Sequence, residues 1–321
     1  MKNSKHILVT GGAGFIGAHL VERLLADGKS VVVIDDLSTG SRDNLRAVAM
    51  NKNLRFIQSK ISNCTELPQL AADAEFIFHL AATVGVELVV KSALHVLEAS
   101  FNETQILLRA AAKNSTPLLL TSTSEVYGKS AKPEFSEDDD LLIGPPGQSR
   151  WSYACSKLTD EFLALAYARE KNLPVTIARL FNTVGPRQTG RYGMVLPRFI
   201  AAAKAGEPLR VFGDGAQSRC FCLVHDVVES LVRLQKCEAA RGEIFNIGGT
   251  EEISMRELAQ LVVATLGSKS EIELIPYDQA YSPGFDDMRR RKPLVEKLER
   301  FVKFKPQTTL REIIRLTAAQ V

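Results

Sequence analysis

Tyr153 and Lys157 stand four residues apart in a segment with helical periodicity, Trp-Ser-Tyr-Ala-Cys-Ser-Lys. That spacing places both side chains on one helix face. An ammonium beside a phenol favours the phenolate, so the pair predicts a tyrosine pKa lowered from about 10 toward working pH. Such a tyrosine can take the proton of a hydroxyl whose carbon is being oxidised. A second group lies upstream, in Ser122-Thr123-Ser124-Glu125-Val126-Tyr127-Gly128, directly after an apolar run of strand length. Hydroxyls at the C-terminal end of such a strand face the ligand crevice of a parallel sheet. Thr123 is the candidate to bond the reacting oxygen, with Ser124 beside it and Glu125 as a second acid or base. A Ser/Thr-rich turn without chemistry is the competing reading of that segment.

The partner for such an oxidation is encoded near the N-terminus. Thr10-Gly11-Gly12-Ala13-Gly14-Phe15-Ile16-Gly17 carries G-x-x-G-x-x-G between a predicted strand and a predicted helix. Glycines there allow a tight turn, close backbone approach to a pyrophosphate, and a helix N-terminus that offers N–H donors. Asp35 ends the second predicted strand, 18 residues after Gly17, near the spacing of about 20 expected of a ribose-binding acid. A carboxylate accepts from ribose hydroxyls and repels a 2′-phosphate, so the cofactor read from these residues is NAD. Tyr153 and Lys157 then fit proton removal coupled to hydride transfer to a nicotinamide.

Several elements must position these groups. Apolar runs of strand length at 6–10, 31–35, 54–58, 75–80, 118–122 and 174–180 alternate with amphipathic segments at 14–26, 93–113 and 151–171. That alternation predicts a parallel sheet covered on both faces. Past residue 182 the pattern loosens, with helices expected at 226–237, 257–266 and 310–316 and a strand at 244–247. The expected fold class is α/β: a Rossmann doubly wound parallel sheet with a smaller C-terminal α/β substrate-binding lobe. A cofactor domain spans 1–182, completed by segments near 220–248, and 183–321 is mainly the second lobe.

Composition narrows the function classes. The 321 residues are 45% hydrophobic and 24% charged, as in an ordinary globular protein. A formal net charge of +3 gives no reason to expect nucleic acid, whose binders carry a clustered basic face. No apolar stretch reaches the roughly 18 residues of a membrane span, so no membrane partner is expected. The five cysteines form no C-x-x-C pair. No metal is therefore expected, and reduced thiols fit a cytoplasmic enzyme.

T-G-G-A-G-F-I-G at 10–17, H-L-A-A at 79–82, T-S-T-S-E-V-Y-G at 121–128, Y-A-C-S-K at 153–157, R-L-F-N-T-V-G-P at 179–186 and F-N-I-G at 245–248 form a set. It resembles the extended short-chain dehydrogenase/reductases, in particular their nucleotide-sugar epimerase/dehydratase branch, over nearly the whole chain. The resemblance implies a trio of Thr123, Tyr153 and Lys157. It implies cofactor contacts at Gly11, Gly14, Phe15, Ile16, Gly17, Asp35, Asp36, Ser38, Thr39, Gly40, Ile61, Leu80, Ala81, Ala82, Ser100 and Ser122. On the substrate side it implies Asn182 and Arg219 at a diphosphate, Val211 and Phe212 against a base, and Thr83, Val84, Arg187 and Val195 nearby. Core packing for Phe212 and a surface ion pair for Arg219 are the competing readings. A homodimer through the helices at 93–113 and 151–171 is also implied. Three positions depart from the pattern: Lys60 stands where relatives usually carry Asp, Ser100 where they carry Asn, and Glu103 near a usual Gly. Lys60 and Ser100 motivate one alternative of another class, a non-catalytic NAD-binding module.

The branch oxidises a sugar at C4 and then diverges. Thr123-Ser124-Glu125 is most similar to UDP-glucuronate decarboxylases, and GDP-mannose dehydratases share it. The basic run Arg289-Arg290-Arg291-Lys292, followed by Pro293, resembles a decarboxylase segment in which arginine meets the hexuronate or diphosphate end; Arg289 and Arg291 are the candidates, against a plain solvated face. The loop Ala82-Thr83-Val84-Gly85-Val86 departs from the Ser/Pro-rich loop of those enzymes. The order of expectation is a UDP-hexuronate decarboxylase, then a UDP-sugar 4-epimerase, then a 4,6-dehydratase.

Overall fold

The computed structural model describes residues 5–82, 92–190, 194–276 and 288–320. Its centre is a sheet of seven parallel strands among the described residues. In space they run Leu54–Gln58, Val31–Asp35, His6–Thr10, Ala74–His79, Leu118–Thr123, Val175–Leu180 and Ile244–Ile247. His6–Thr10 and Val31–Asp35 are buried along their whole length, which is why they read as unbroken apolar runs rather than alternating ones. Alternate side chains then feed two separate cores. Ile7, Val9, Val33, Phe76, Phe78 and Leu119 meet the helices Phe15–Ala26 and Val224–Lys236 on one face. Leu8, Val32, Ile34, Ile77 and Leu120 meet Leu67–Asp73, Ala93–Ala112 and Trp151–Lys171 on the other.

Strand order reverses beside His6–Thr10: the next strand in sequence pairs on one side of it and Ala74–His79 on the other. Ligand crevices open at the carboxyl ends of strands at such a point. Here Gly11 and Leu80 leave the sheet side by side, the Leu80 amide donating to the Thr10 carbonyl at 3.0 Å. Beyond Leu180 the chain crosses outward, Thr183–Val184 pairing with Cys222–Leu223. It then returns to the sheet, where Ile244–Ile247 pairs in parallel with Val175–Leu180. The outlying residues have their own core, in which Leu196, Phe199 and Ile200 pack with Leu209, Val211, Leu258, Val262, Ile313 and Ile314.

The helices Leu67–Asp73, Val195–Ala205 and Glu296–Val302 were not expected. The first and last are only seven residues long, and Pro197 obscures the second, although proline is tolerated in a first helical turn. Trp151–Lys171 ends at Asn172 in the left-handed conformation, φ 52°, a usual helix stop. No helix among the described residues is long and apolar enough to cross a membrane.

Candidate active site

One cavity of about 1170 Å³ extends from the glycine turn past Tyr153 to Phe212 and Arg291. At the glycine end the backbone forms the wall. Gly11 has φ +72°, and a Cβ there would lie 2.6 Å from the Ala81 amide nitrogen; a Cβ on Gly17 would lie 2.1 Å from the Gly11 carbonyl oxygen. Asp35 braces this turn from the neighbouring strand. Its Oδ2 accepts from the Ala13 amide at 2.9 Å and its Oδ1 from the Leu37 amide at 2.8 Å. Burial pushes its carboxyl up, against the pull of those bonds. The Asp36 carboxylate accepts from the Ser38 amide at 2.9 Å. Phe15, Ile16, Ser38, Thr39, Ile61, Leu80, Ala81, Ala82 and Ser100 line the same space. Gly40 does not; it abuts Ala13, where a Cβ would come 2.9 Å from the carbonyl, so it supports the turn from behind. Lys60 and Glu103 are both on the wall, and Glu103 accepts from the Ser62 amide at 2.9 Å. A backbone cradle that side chains cannot enter, at a helix N-terminus, with a carboxylate at the second strand's end, fits a dinucleotide.

Further along, Thr123 ends the strand Leu118–Thr123 and caps the turn Ser124–Tyr127. Its Oγ1 accepts from the Glu125 amide at 3.3 Å, and its hydroxyl faces Tyr153, where it favours the phenolate. Tyr153 and Lys157 lie near the start of Trp151–Lys171 and both line the cavity. The expected electrostatics differ in one respect. The Lys157 ammonium donates to Asp160 Oδ2 at 3.0 Å, and the Tyr153 phenol is pushed up, by burial first and by the Glu125 charge second. A lowered phenol pKa from Lys157 alone overlooked the buried carboxylate that answers the ammonium. His79, fully buried, is pushed down to about 3 by burial and then by the Lys157 charge. Its neutral ring bridges Thr10 at 2.7 Å and Thr104 at 3.1 Å.

Glu125 faces two arginines. Its Oε1 accepts from Arg291 Nη1 at 3.2 Å, and Arg150 Nη1 lies 3.6 Å from Oε2. All three line the cavity. Ser124 lies buried on the same wall, and Ser122 donates to Glu161, which holds Arg179 in a buried two-point pair.

At the far end Val195, Val211 and Phe212 form an apolar wall, with the Arg198 guanidinium 5.4 Å from the Phe212 ring centre. Arg219 is buried, lines the cavity and donates to the Ser218 carbonyl at 2.8 Å. Asn182 has φ 28° and donates to the Cys220 carbonyl at 2.8 Å. Arg187 lines the cavity, but its guanidinium is engaged by Glu22 at 2.7 and 2.8 Å and by the Asn44 carbonyl at 2.6 Å. It clamps Phe15–Ala26 to the turn that follows Gly185, instead of presenting a bare fork. In the basic run, Arg290 pairs with Glu252 at 2.7 Å and Lys292 with Glu134 at 2.7 Å. Arg289 is exposed and off the cavity wall, contributing a carbonyl to the Ser218 amide at 2.9 Å. Only Arg291 of these four reaches the cavity. Thr83 and Val84 lie outside the described residues.

Sequence reasoning missed Arg150, Asp160 and Arg198. The first two had a signal. Arg150 precedes Tyr153 by three residues and Asp160 follows Lys157 by three, so all four share a helix face. Arg198 had none, because its helix was not expected.

Three comparisons bear on this cavity. The model of a family described as the NAD-dependent epimerase/dehydratase family matches residues 7–248. A UDP-N-acetyl-alpha-D-glucosaminuronate decarboxylase of Bacillus cytotoxicus is 40% identical, over 98% of this chain and 96% of that protein. UDP-glucuronic acid decarboxylase 2 of Arabidopsis thaliana is 35% identical, over 95% of this chain and 66% of that protein. Among solved structures, a UDP-glucuronic acid 4-epimerase from Bacillus cereus, in complex with UDP-glucuronic acid and NAD, superposes with a TM-score of 0.87 at 29% identity, covering 98% of each chain.

Proposed function

The chain belongs to the NAD-dependent epimerase/dehydratase family, and from that premise we propose that it decarboxylates a UDP-linked hexuronate. The observation that carries this reading is the placement of Arg291 and Arg150 on the cavity wall beside Tyr153, both turned to Glu125. Guanidinium forks at that end suit a sugar carboxylate. The 40% identical decarboxylase supports the same choice.

NAD held by the glycine turn and Asp35 would supply the hydride acceptor, and later the donor, for C4 of the sugar. The ionised Tyr153 oxygen takes the C4 hydroxyl proton, and Thr123, facing Tyr153, orients the reacting oxygen. With C4 a ketone, the carboxylate on C5 lies β to it. The bond from C5 to the carboxyl carbon breaks, carbon dioxide leaves, and the electron pair passes to the C4 oxygen as an enolate. Tyr153, protonated by the first step, gives that proton to the oxygen; burial favours the protonated phenol, so the ring holds the proton between the two steps. C5 then takes a proton from solvent as the ketone re-forms and Tyr153 recovers its own. Asn182 and Arg219 hold the diphosphate, and Val211 and Phe212 receive the base.

Incubation with UDP-glucuronate and UDP-N-acetylglucosaminuronate in the presence of NAD tests this by product mass. Loss of one carbon dioxide is the expected result. Unchanged mass with inverted C4 means a 4-epimerase, and loss of water a dehydratase. Arg291→Ala is expected to lower kcat/KM for the hexuronate about a hundredfold, in line with roughly 2–5 kcal/mol for a charge-assisted partner lost from a buried site. Steady-state rates of the variant equal to wild type would remove Arg291 from the reaction.

The protein acts as a homodimer. Leu94, Leu97, Phe101 and Phe162 are exposed on the neighbouring helices Ala93–Ala112 and Trp151–Lys171, and clustered exposed apolar groups mark association surfaces. An isologous contact there brings four helices together. Sedimentation should give a dimer for wild type at micromolar concentration and a monomer for Phe162→Glu; a wild-type monomer discards the interface. A cytoplasmic location agrees with five free cysteines, a state that a reducing compartment preserves.

A further inference from the structure

We infer that Asp160 is a positioning residue that pins the Lys157 ammonium and, by answering its charge, keeps the Tyr153 hydroxyl protonated. The inference rests on the reading of Tyr153 and Lys157 as the proton-transfer pair.

Trp151–Lys171 turns its inner face to the sheet, and most of that face is small or apolar: Ala154, Ser156 and Ala164 are buried there. An aspartate in such a place is unusual, because carboxylates are rarely fully buried unless paired. Asp160 is 0% exposed and Lys157 2%. Lys157 Nζ donates to Asp160 Oδ2 at 3.0 Å, and Ser100 Oγ, from the facing helix Ala93–Ala112, donates to the same oxygen at 2.8 Å. Asp160 Oδ1 has no hydrogen-bond partner among the described residues. The whole demand of the carboxylate therefore falls on one oxygen, shared by the ammonium and one short hydroxyl. Ser100 and Lys157 both line the cavity, so Asp160 supports the wall from behind without standing on it.

The charges around Tyr153 give this arrangement its consequence. Glu125 faces it from the turn Ser124–Tyr127 and Arg291 from the C-terminal segment, while Asp160 and Lys157 come from its own helix. Arg150, at the start of that helix, reaches Glu125. His79, from Ala74–His79, faces Lys157 and is neutral because burial disfavours its charge. Without Asp160 only burial and the Glu125 charge would oppose the pull of the ammonium on the phenol. With Asp160 the pair is close to neutral, and ionisation of Tyr153 gains little from Lys157. Asp160 thus biases Tyr153 toward the acid that the enolate step requires, and holds Nζ at one point of the wall.

The test is the ionisation of Tyr153 itself, read without substrate. The full-length protein is made with fluorinated tyrosine, which ionises at lower pH, and the fluorine resonance of residue 153 is assigned by its absence in Tyr153→Phe. In Asp160→Asn the phenolate should form at a pH lower by about one unit than in wild type, as expected when an anion within a few ångströms is removed. Lys157→Met, which removes the opposite charge and keeps the chain length, should move it upward. Ser100→Ala should move it far less than Asp160→Asn, because it removes a hydrogen bond and no charge. An unchanged midpoint in Asp160→Asn overturns the inference, as does a shift of the same sign in Lys157→Met or an equal shift in Ser100→Ala. If either charge variant fails to fold, the sign of the other decides. Because no turnover is measured, an inactive protein with opposed shifts would reject the proposed reaction and retain the role of Asp160.

Discussion

Tyr153→Phe lowers turnover about a thousandfold, within the range of general acid–base contributions, and leaves the affinity for NAD within a few fold of wild type. The substitution deletes one oxygen from a half-buried ring on the cavity wall. That oxygen faces Thr123 and feels the charges of Glu125 and Arg291, where a hydroxyl proton has to leave and return. The glycine turn, Asp35 and the Leu80-Ala81 wall are untouched, so the cofactor site is not altered. The measurement is a pair: steady-state decarboxylation and calorimetric titration with NAD. Equal losses in both would show that the ring hydroxyl supports the pocket instead of the reaction. An unaffected turnover would remove Tyr153 from the reaction, whereas wild-type protein that binds NAD without any turnover would be the non-catalytic binder that Lys60 and Ser100 raised.

Gly17→Ala produces the second large effect, and on the opposite quantity. The added Cβ would sit 2.1 Å from the Gly11 carbonyl oxygen and 2.8 Å from Gly12 Cα. Both neighbours are backbone, and a Cβ has no rotamer by which to escape. Either the helix Phe15–Ala26 moves off the turn or the turn opens, and in both cases the N–H cradle is lost. NAD affinity is expected to fall at least tenfold, about 1.4 kcal/mol, with the melting temperature lowered as well. Gly28→Ala is the control. Gly28 also has a positive φ, +77°, but a Cβ there meets nothing within 4 Å. Its cost is conformational strain alone, so it should leave NAD binding unchanged. Equal affinities for Gly17→Ala and Gly28→Ala would show that the turn yields to the clash.

The central sheet was legible because each buried strand is an apolar run bounded by glycine, proline or an acid, and each covering helix repeats at helical spacing. The strand His6–Thr10 and the helix Trp151–Lys171 have the predicted ends to the residue. The outlying core was less legible. Its strands Leu209–Phe212, Ser218–Cys220 and Glu252–Ser254 are three or four residues long, too short for period to declare itself, and they pair only across distant segments. The same contrast runs through the site. Gly11, Gly14, Gly17, Asp35, Tyr153 and Lys157 are separated by local spacings that a turn or a helix imposes, so their types and intervals carried the signal. Arg187 and Arg289 had the right type in the right segment, and their destinations depended on partners far away in sequence. Glu22, 165 positions away, engages the first, and the Ser218 amide holds the backbone of the second.

The chain's local order was therefore sufficient for the parallel sheet, the dinucleotide turn and the Tyr153–Lys157 pair, because each follows from sterics and hydrogen bonding within one or two elements. Tertiary packing decided which residue of the basic run reaches the cavity, that Arg150 joins Arg291 at Glu125, and that the Lys157–Asp160 pair is buried. The physical reason is that electrostatics depends on distance and burial. A row of charges in sequence has no burial until helices and strands close over it, and the Lys157–Asp160 pair gains the Ser100 hydroxyl on the Asp160 oxygen only after Ala93–Ala112 has packed on Trp151–Lys171.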